Sequence, residues 1–328
     1  MVKSIFKKRV NIKPYEYPGL LGFKDAIRHS YWIHSEFNFT SDIQDFNTRV
    51  NKAEKSVLTK TMLAVSQIEV NVKRYWGNLY NHFPKPEIDD VGGTFAESEV
   101  RHKDAYSFLL EKLGLNKDFE GIYEIPAIID RVNYLESIMG KKDKSEKDVI
   151  LTLILFSLFI EHISLFGQFL IIMSFNKEKN LFKGISNVVE ATSKEEQIHG
   201  DFGIELYKII KDEKPEIFDE EFYKELEKVS RKALKAEQKV LDWIYEEGDL
   251  DFIPKATILN YMHDRFNKSL TILGAKPIVE NIDKDLLEKT AWFDLELKAT
   301  KGNDFFVKRS INYSKRTKTI TKDDLFRE

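Results

Sequence analysis

Two Glu-x-x-His pairs are the residues best suited to chemistry: Glu99 with His102 in FAESEVRHKDAY, and Glu196 with His199 in SKEEQIHGD. On a helix, positions i and i+3 share a face, so each pair can present a carboxylate oxygen and an imidazole nitrogen to one cation. With 7 histidines and 54 acidic residues among 328 positions, roughly one such pair arises by chance, so the pairs alone decide little. Spacing adds what they lack. Glu69, in MLAVSQIEVNVKRYW, lies 30 positions before Glu99, and Glu161, in LFSLFIEHISLFGQFLIIMSF, lies 35 before Glu196. The order Glu, then Glu-x-x-His, therefore occurs twice. A carboxylate in the apolar run around Glu161 is costly to ionise without a compensating charge. Two divalent cations held by Glu69, Glu99, His102, Glu161, Glu196 and His199 supply that charge, and four carboxylates neutralise the cations in return. His162 points about 100° away from Glu161 around the helix and reads as a packed or hydrogen-bonded histidine. His29, His34, His82 and His263 have no partner at ligand spacing.

Four helices must bring these six side chains to one level. Glycine and proline number only 15 and 8, and helical periodicity runs through Leu58–Tyr80, Thr94–Leu113, Val149–Phe175, Gly184–Lys211, Glu220–Glu246 and Ile253–Leu273. The expected class is all-α. NHFPKPEIDDVGG, GKKDKSEKD and KDEKPEIFD read as loops between these helices. Residues 1–304 are expected to form one helical domain with an N-terminal arm, and 305–328, where apolar periodicity fades and basic residues crowd, a flexible C-terminal tail.

Composition narrows the function classes. A net charge of -3 gives no reason to expect nucleic acid as a partner. The absence of cysteine excludes disulfides and thiolate metal sites and fits a cytoplasmic location. The N-terminus, MVKSIFKKRVNIKPYEYPG, lacks the pattern of a signal peptide. Val149–Phe175 is long enough to span a bilayer, but Glu161, His162, Ser164 and Gln168 would then face hydrocarbon. A buried central helix explains the same composition, and no membrane partner is expected.

At this point the residues resemble the small, radical-generating subunit of class I ribonucleotide reductase, and the likeness runs through nearly the whole chain. YWIHSEF, FAESEVRHKDAY, NYMHDRFNKSLTILG and DFFVKRSINYSK carry it. The resemblance implies a ferritin-like helical bundle with a di-metal carboxylate site, Glu69, Glu99 and His102 on one metal and Glu161, Glu196 and His199 on the other, with bridging carboxylates. It implies a high-valent metal oxidant and passage of the radical to the catalytic large subunit for deoxyribonucleotide synthesis, from a homodimer. Tyr106, four residues after His102, matches the tyrosine that becomes a radical in many members. Trp32 matches the internal relay, Glu195 stands where the family has an aspartate bonded to the ligand histidine, and Tyr313 matches the tail relay tyrosine. The terminal DDLFRE resembles the segment that docks on the large subunit. Glu69 departs from the aspartate of the commonest tyrosyl-radical members, and together with the retained Tyr106 it resembles the dimanganese, superoxide-activated subclass (class Id). Two manganese ions are therefore expected, with manganese–iron or two iron ions as alternatives. Lys73, four residues after Glu69, is expected on the same helix face, where it would favour an anionic oxidant. An R2-like oxidase or ferroxidase on the same bundle would need the six ligands but neither relay nor tail.

Overall fold

A computed structural model describes residues 4–70, 72–139 and 144–302. The regular structure among them is helical, without a strand: α1 (Leu21–His29), α2 (Thr40–Thr48), α3 (Lys52–Glu69), α4 (Val72–Gly77), α5 (Pro86–Leu113), α6 (Asn116–Glu120), α7 (Pro126–Met139), α8 (Glu146–Ile154), α9 (Leu165–Lys179), α10 (Lys183–Glu213), α11 (Glu220–Ile244), α12 (Lys255–Ile272), α13 (Lys284–Glu288) and α14 (Ala291–Gly302). Leu155–Ser164, between α8 and α9, is π-helical, so Glu146–Lys179 is one continuous rod. Polar caps set several starts. Asn51 and Glu54 form a reciprocal capping box on α3, and Ser145 and Asp148 do the same on α8.

Two boundaries differ from expectation by more than a few residues. Leu58–Tyr80 is not one helix, because α3 ends at Glu69 and α4 begins at Val72. The supposed loop NHFPKPEIDDVGG turns helical at Pro86, whose fixed φ suits a first helical turn where its missing N–H is no loss. That helix runs on to Gly114, whose φ of +75° closes it in the left-handed conformation glycine tolerates.

The segments that carry the candidate ligands pack in a ring closed by α9: α3 on α5, α5 on α10, α10 on the π segment and α9, and α9 on α3. Outside it, α11 lies against α3, α7 and α12. The rod is long and apolar enough to cross a bilayer, yet 94% of its most apolar window is buried inside the fold. It is the core helix of the bundle, hydrophobic all round because it is enclosed all round.

Two local devices bring α10 back alongside the rod. Asn180 and Phe182 take positive φ angles of 53° and 55°, a conformation that costs energy in a side chain with a Cβ. Carboxylates from α2 hold it in place: Phe182 N–H donates to Asp45 at 3.0 Å, and Gly184 and Ile185 N–H donate to Asp42 at 3.2 and 2.7 Å. Further along α10, Gly203 lets the π segment approach so closely that an added Cβ would lie 2.1 Å from Ser157 Oγ.

Candidate metal centre

The six carboxylates and imidazoles foreseen as ligands converge, each at most 1% exposed. Glu69 arrives from the last residue of α3, Glu99 and His102 from α5, Glu161 from the π segment, and Glu196 and His199 from α10. They divide into two groups of mutually close donor atoms: Glu69, Glu99, His102 and Glu196 in one, and Glu99, Glu161, Glu196 and His199 in the other. Glu99 and Glu196 belong to both, the positions of carboxylates able to bridge two cations. A π segment has a wider backbone than the α-helices flanking it and is frequent at functional sites. Here it carries Glu161.

The donor atoms face one another without satisfying one another. His102 Nδ1 is 3.0 Å from Glu196 Oε1, and neither makes an aligned hydrogen bond. Both oxygens of Glu69 and of Glu99, and Oε2 of Glu161, are likewise buried without one. Buried polar atoms are rarely left so. A set of oxygens and imidazole nitrogens aimed at two shared points fits a pair of divalent cations, and the oxygen-rich composition suits manganese or iron.

A second layer orients the imidazoles, as such layers commonly do for metal-bound histidine. His102 Nε2 lies 2.8 Å from Glu195 Oε2, which leaves Nδ1 for a cation. Glu195 is in turn held by Arg101 at 3.1 and 3.2 Å and by Ser30 Oγ at 2.9 Å. Ser98 Oγ lies 3.2 Å from His199 Nε2. The Trp32 ring stacks on His102, with centroids 5.7 Å apart and planes 15° apart, while the Arg101 guanidinium lies 5.7 Å from the indole centroid and also bonds Trp32 O. The indole N–H of Trp32 has no hydrogen bond. Its link to the site is thus the ring face.

Residues 9–284 match the protein family described as "Ribonucleotide reductase, small chain". The chain belongs to that family. Among curated relatives it is 23% identical to a probable ribonucleoside-diphosphate reductase small subunit of Invertebrate iridescent virus 3, over 96% of this chain and 87% of the relative. It is also 23% identical to the ribonucleoside-diphosphate reductase subunit beta of Chlamydia pneumoniae, over 86% of this chain and 83% of the relative. Such small subunits are parts of an oxidoreductase. In fold it resembles the ribonucleotide reductase R2 subunit from Clostridium botulinum, with TM-score 0.79 at 17% identity over 90% of this chain and 98% of that one. It also resembles the Streptococcus sanguinis dimanganese(II)-NrdF, with TM-score 0.68 at 13% identity over 87% and 100%. The ferritin-like helical bundle of the ribonucleotide reductase small chain is thus the fold of this protein.

Within that frame, Tyr106 is fully buried and its hydroxyl makes no aligned hydrogen bond. Burial, reinforced by the Glu69 carboxylate, pushes its phenol well above the usual range. Lys73 is half-buried on α4, beyond the end of the helix that carries Glu69, so the two do not share one uninterrupted helix face. Tyr313 and the terminal DDLFRE lie outside the described residues. His162 is half-buried and bonds Gln197 Oε1 at 2.9 Å. Sequence reasoning missed Trp76, whose indole N–H donates to Glu161 Oε1 at 2.6 Å. It also missed Arg101, Ser30 and Ser98. Arg101 sits inside FAESEVRHKDAY, but no spacing rule marks it, because its partner Glu195 is on another helix.

Without cations the site must hold protons. Burial raises Glu161 to about 8 against the opposing pull of His199, and burial together with the Glu99 charge raises Glu69 well above the carboxylate range. Burial disfavours the imidazolium of His102 and of His199, but carboxylate partners outweigh it and raise both well above the usual histidine value. Each of these groups must be unprotonated to bind a cation, so loading should release protons and strengthen as pH rises through about 8. Calorimetric titration of the apoprotein with Mn(II) at pH 7, in buffers of different ionisation enthalpy, should show net proton release; uptake or no exchange would contradict this charge assignment.

Proposed function

We propose that this chain is the radical-generating small subunit of a class I ribonucleoside-diphosphate reductase, acting with a catalytic large subunit in deoxyribonucleotide synthesis, and that it belongs to the dimanganese, superoxide-activated subclass. Manganese–iron and two iron ions are the alternative cofactors. The observation that carries the reading is the Trp32 ring stacked on His102. A metal-storage protein or a self-contained oxidase needs the six ligands but no oxidisable indole against one of them. A cytoplasmic homodimer, with no nucleic acid or membrane partner, completes the proposal.

When bound, the metals supply the oxidising equivalent. The protein's own groups hold and route it. Glu195, fixed by Arg101 and Ser30, accepts the Nε2–H of His102 and sets the tautomer that ligates through Nδ1. Trp32 is the first relay outside the ligands. Tyr313, in the proposed tail of residues 305–328, is the last before the large subunit.

Glu69 and Tyr106 support storage of the equivalent on the metals. A phenol is oxidised readily only if its proton has somewhere to go; the side chain that the Tyr106 hydroxyl faces is Thr192, whose hydroxyl is a poor base, and burial pushes the phenol pKa up. The test uses Tyr106→Phe reconstituted with manganese and superoxide and assayed with the large subunit. Substantial nucleotide reduction, within about tenfold of wild type, is expected, since that loss equals roughly 1.4 kcal/mol of barrier. Loss of activity with both metals in place would assign the equivalent to Tyr106, and a wild-type protein that neither binds nor activates the large subunit would overturn the reductase reading.

A further inference from the structure

Of the four carboxylates at the centre, Glu161 alone has an oxygen bonded by a group that cannot be a ligand. Trp76 Nε1–H donates to its Oε1 at 2.6 Å, between side chains that are both fully buried. Its Oε2 makes no hydrogen bond and stands 3.6 Å from His199 Nδ1 among the converging donors. Glu69 and Glu99, by contrast, have neither oxygen bonded, and the one hydrogen bond at Glu196 Oε2 is with His199 at 3.2 Å. We propose that Trp76 is a positioning residue that restrains Glu161 to binding a metal through one oxygen, an inference that rests on reading Glu161 as a metal ligand.

The chemistry of the pair favours persistence of this bond. An indole N–H is a donor only, so it cannot compete for the cation and is satisfied only by an acceptor. Donation to a carboxylate belongs to the short, strong class of hydrogen bonds. The indole has little room to rotate away, since Phe95 and Phe202 meet it edge-on at 5.1 and 5.9 Å and Tyr75 at 5.0 Å. Its backbone is pressed on α5 at Gly92, where an added Cβ would lie 2.6 Å from Trp76 O. With one lone pair of Oε1 engaged by the indole, chelation of one ion by both oxygens would leave Oε1 shared between indole and cation, which weakens its donation to the metal and favours binding through Oε2. Glu69 and Glu99 carry no such restraint, so Trp76 makes the two ends of the centre unequal.

The test has an arm that needs no metal. With 15N-indole labelling of the four tryptophans, wild-type apoprotein at pH 9, where Glu161 is ionised, should show one strongly downfield Nε1–H signal, missing from Trp76→Phe and moved upfield in Glu161→Gln, whose neutral amide is a weaker acceptor. In the second arm, wild type and Trp76→Phe are titrated with Mn(II), followed by metal analysis and paramagnetic resonance. Trp76→Phe should still take up two ions, with affinity for the weaker one changed about tenfold or more and an altered spectrum, as is usual when a group orienting a ligand is removed. Wild-type protein that fails to take up two ions overturns the metal-centre reading. Two ions in wild type, with the same affinities and spectrum in Trp76→Phe or with no downfield indole signal, overturn the role of Trp76 alone.

Discussion

Glu161→Ala protein should fold as a helical bundle yet fail to retain two metal ions after loading with Mn(II) and desalting. The substitution removes the one candidate ligand supplied by the rod. It leaves His199 and two carboxylates already shared with the neighbouring group, so the second group drops from four donors to three. The folded apoprotein should tolerate the change, because burial raises this carboxyl to about 8, so at pH 7 it is largely neutral and the substitution removes little buried charge. The indole N–H of Trp76 is left without its partner, a cost of about 1–3 kcal/mol that a domain of this size can absorb. Metal analysis beside a thermal unfolding curve separates the two effects. Two tightly held equivalents in a cooperatively folded variant would defeat the ligand assignment.

Tyr313→Phe is expected to stop turnover while leaving association with the large subunit nearly unchanged, and deletion of the residues after Lys322 should do the reverse. Phenylalanine has no phenolic proton to lose and is far harder to oxidise, so the proposed relay would be broken without loss of docking surface. The terminal DDLFRE sets an apolar pair among charged residues, and a short anchor of this kind acts by raising the effective concentration of the segment it carries. Binding is measured with each variant as titrant, and activity at saturating small subunit. Wild-type turnover by Tyr313→Phe would remove that residue from the relay whatever the outcome for docking.

The candidate metal centre was legible in the sequence to an unusual degree because metal chemistry needs particular side chains at helical spacing. Glu99 with His102 and Glu196 with His199 share faces on any helix, and Glu161 in an apolar run demanded a compensating charge. The helical class followed from periodicity. Boundaries did not: no glycine or proline marks the break after Glu69, which leads into an α4 packed on α5, and the start at Pro86 is a local first-turn proline signal that the loop reading of NHFPKPEIDDVGG passed over. That break is why the helix-face argument for Lys73 does not carry into the structure.

Residue type and spacing alone marked the six candidate ligands and the all-helical class, since both depend on short-range periodicity and on the cost of burying charge, while the resemblance to a reductase subunit rested on motifs such as YWIHSEF and FAESEVRHKDAY. Only the tertiary structure decided which carboxylates lie in both donor groups, that Glu161 sits on a π segment admitted by Gly203, that Trp32 meets His102 by its ring face, and that Trp76 holds one oxygen of Glu161. These facts depend on distances between side chains 70 to 101 positions apart in pairs such as Trp32 and His102, Trp76 and Glu161, and Ser98 and His199. Helical periodicity fixes neighbours within a few residues and says nothing about which faces of two separate helices will meet; that is settled by packing across the bundle.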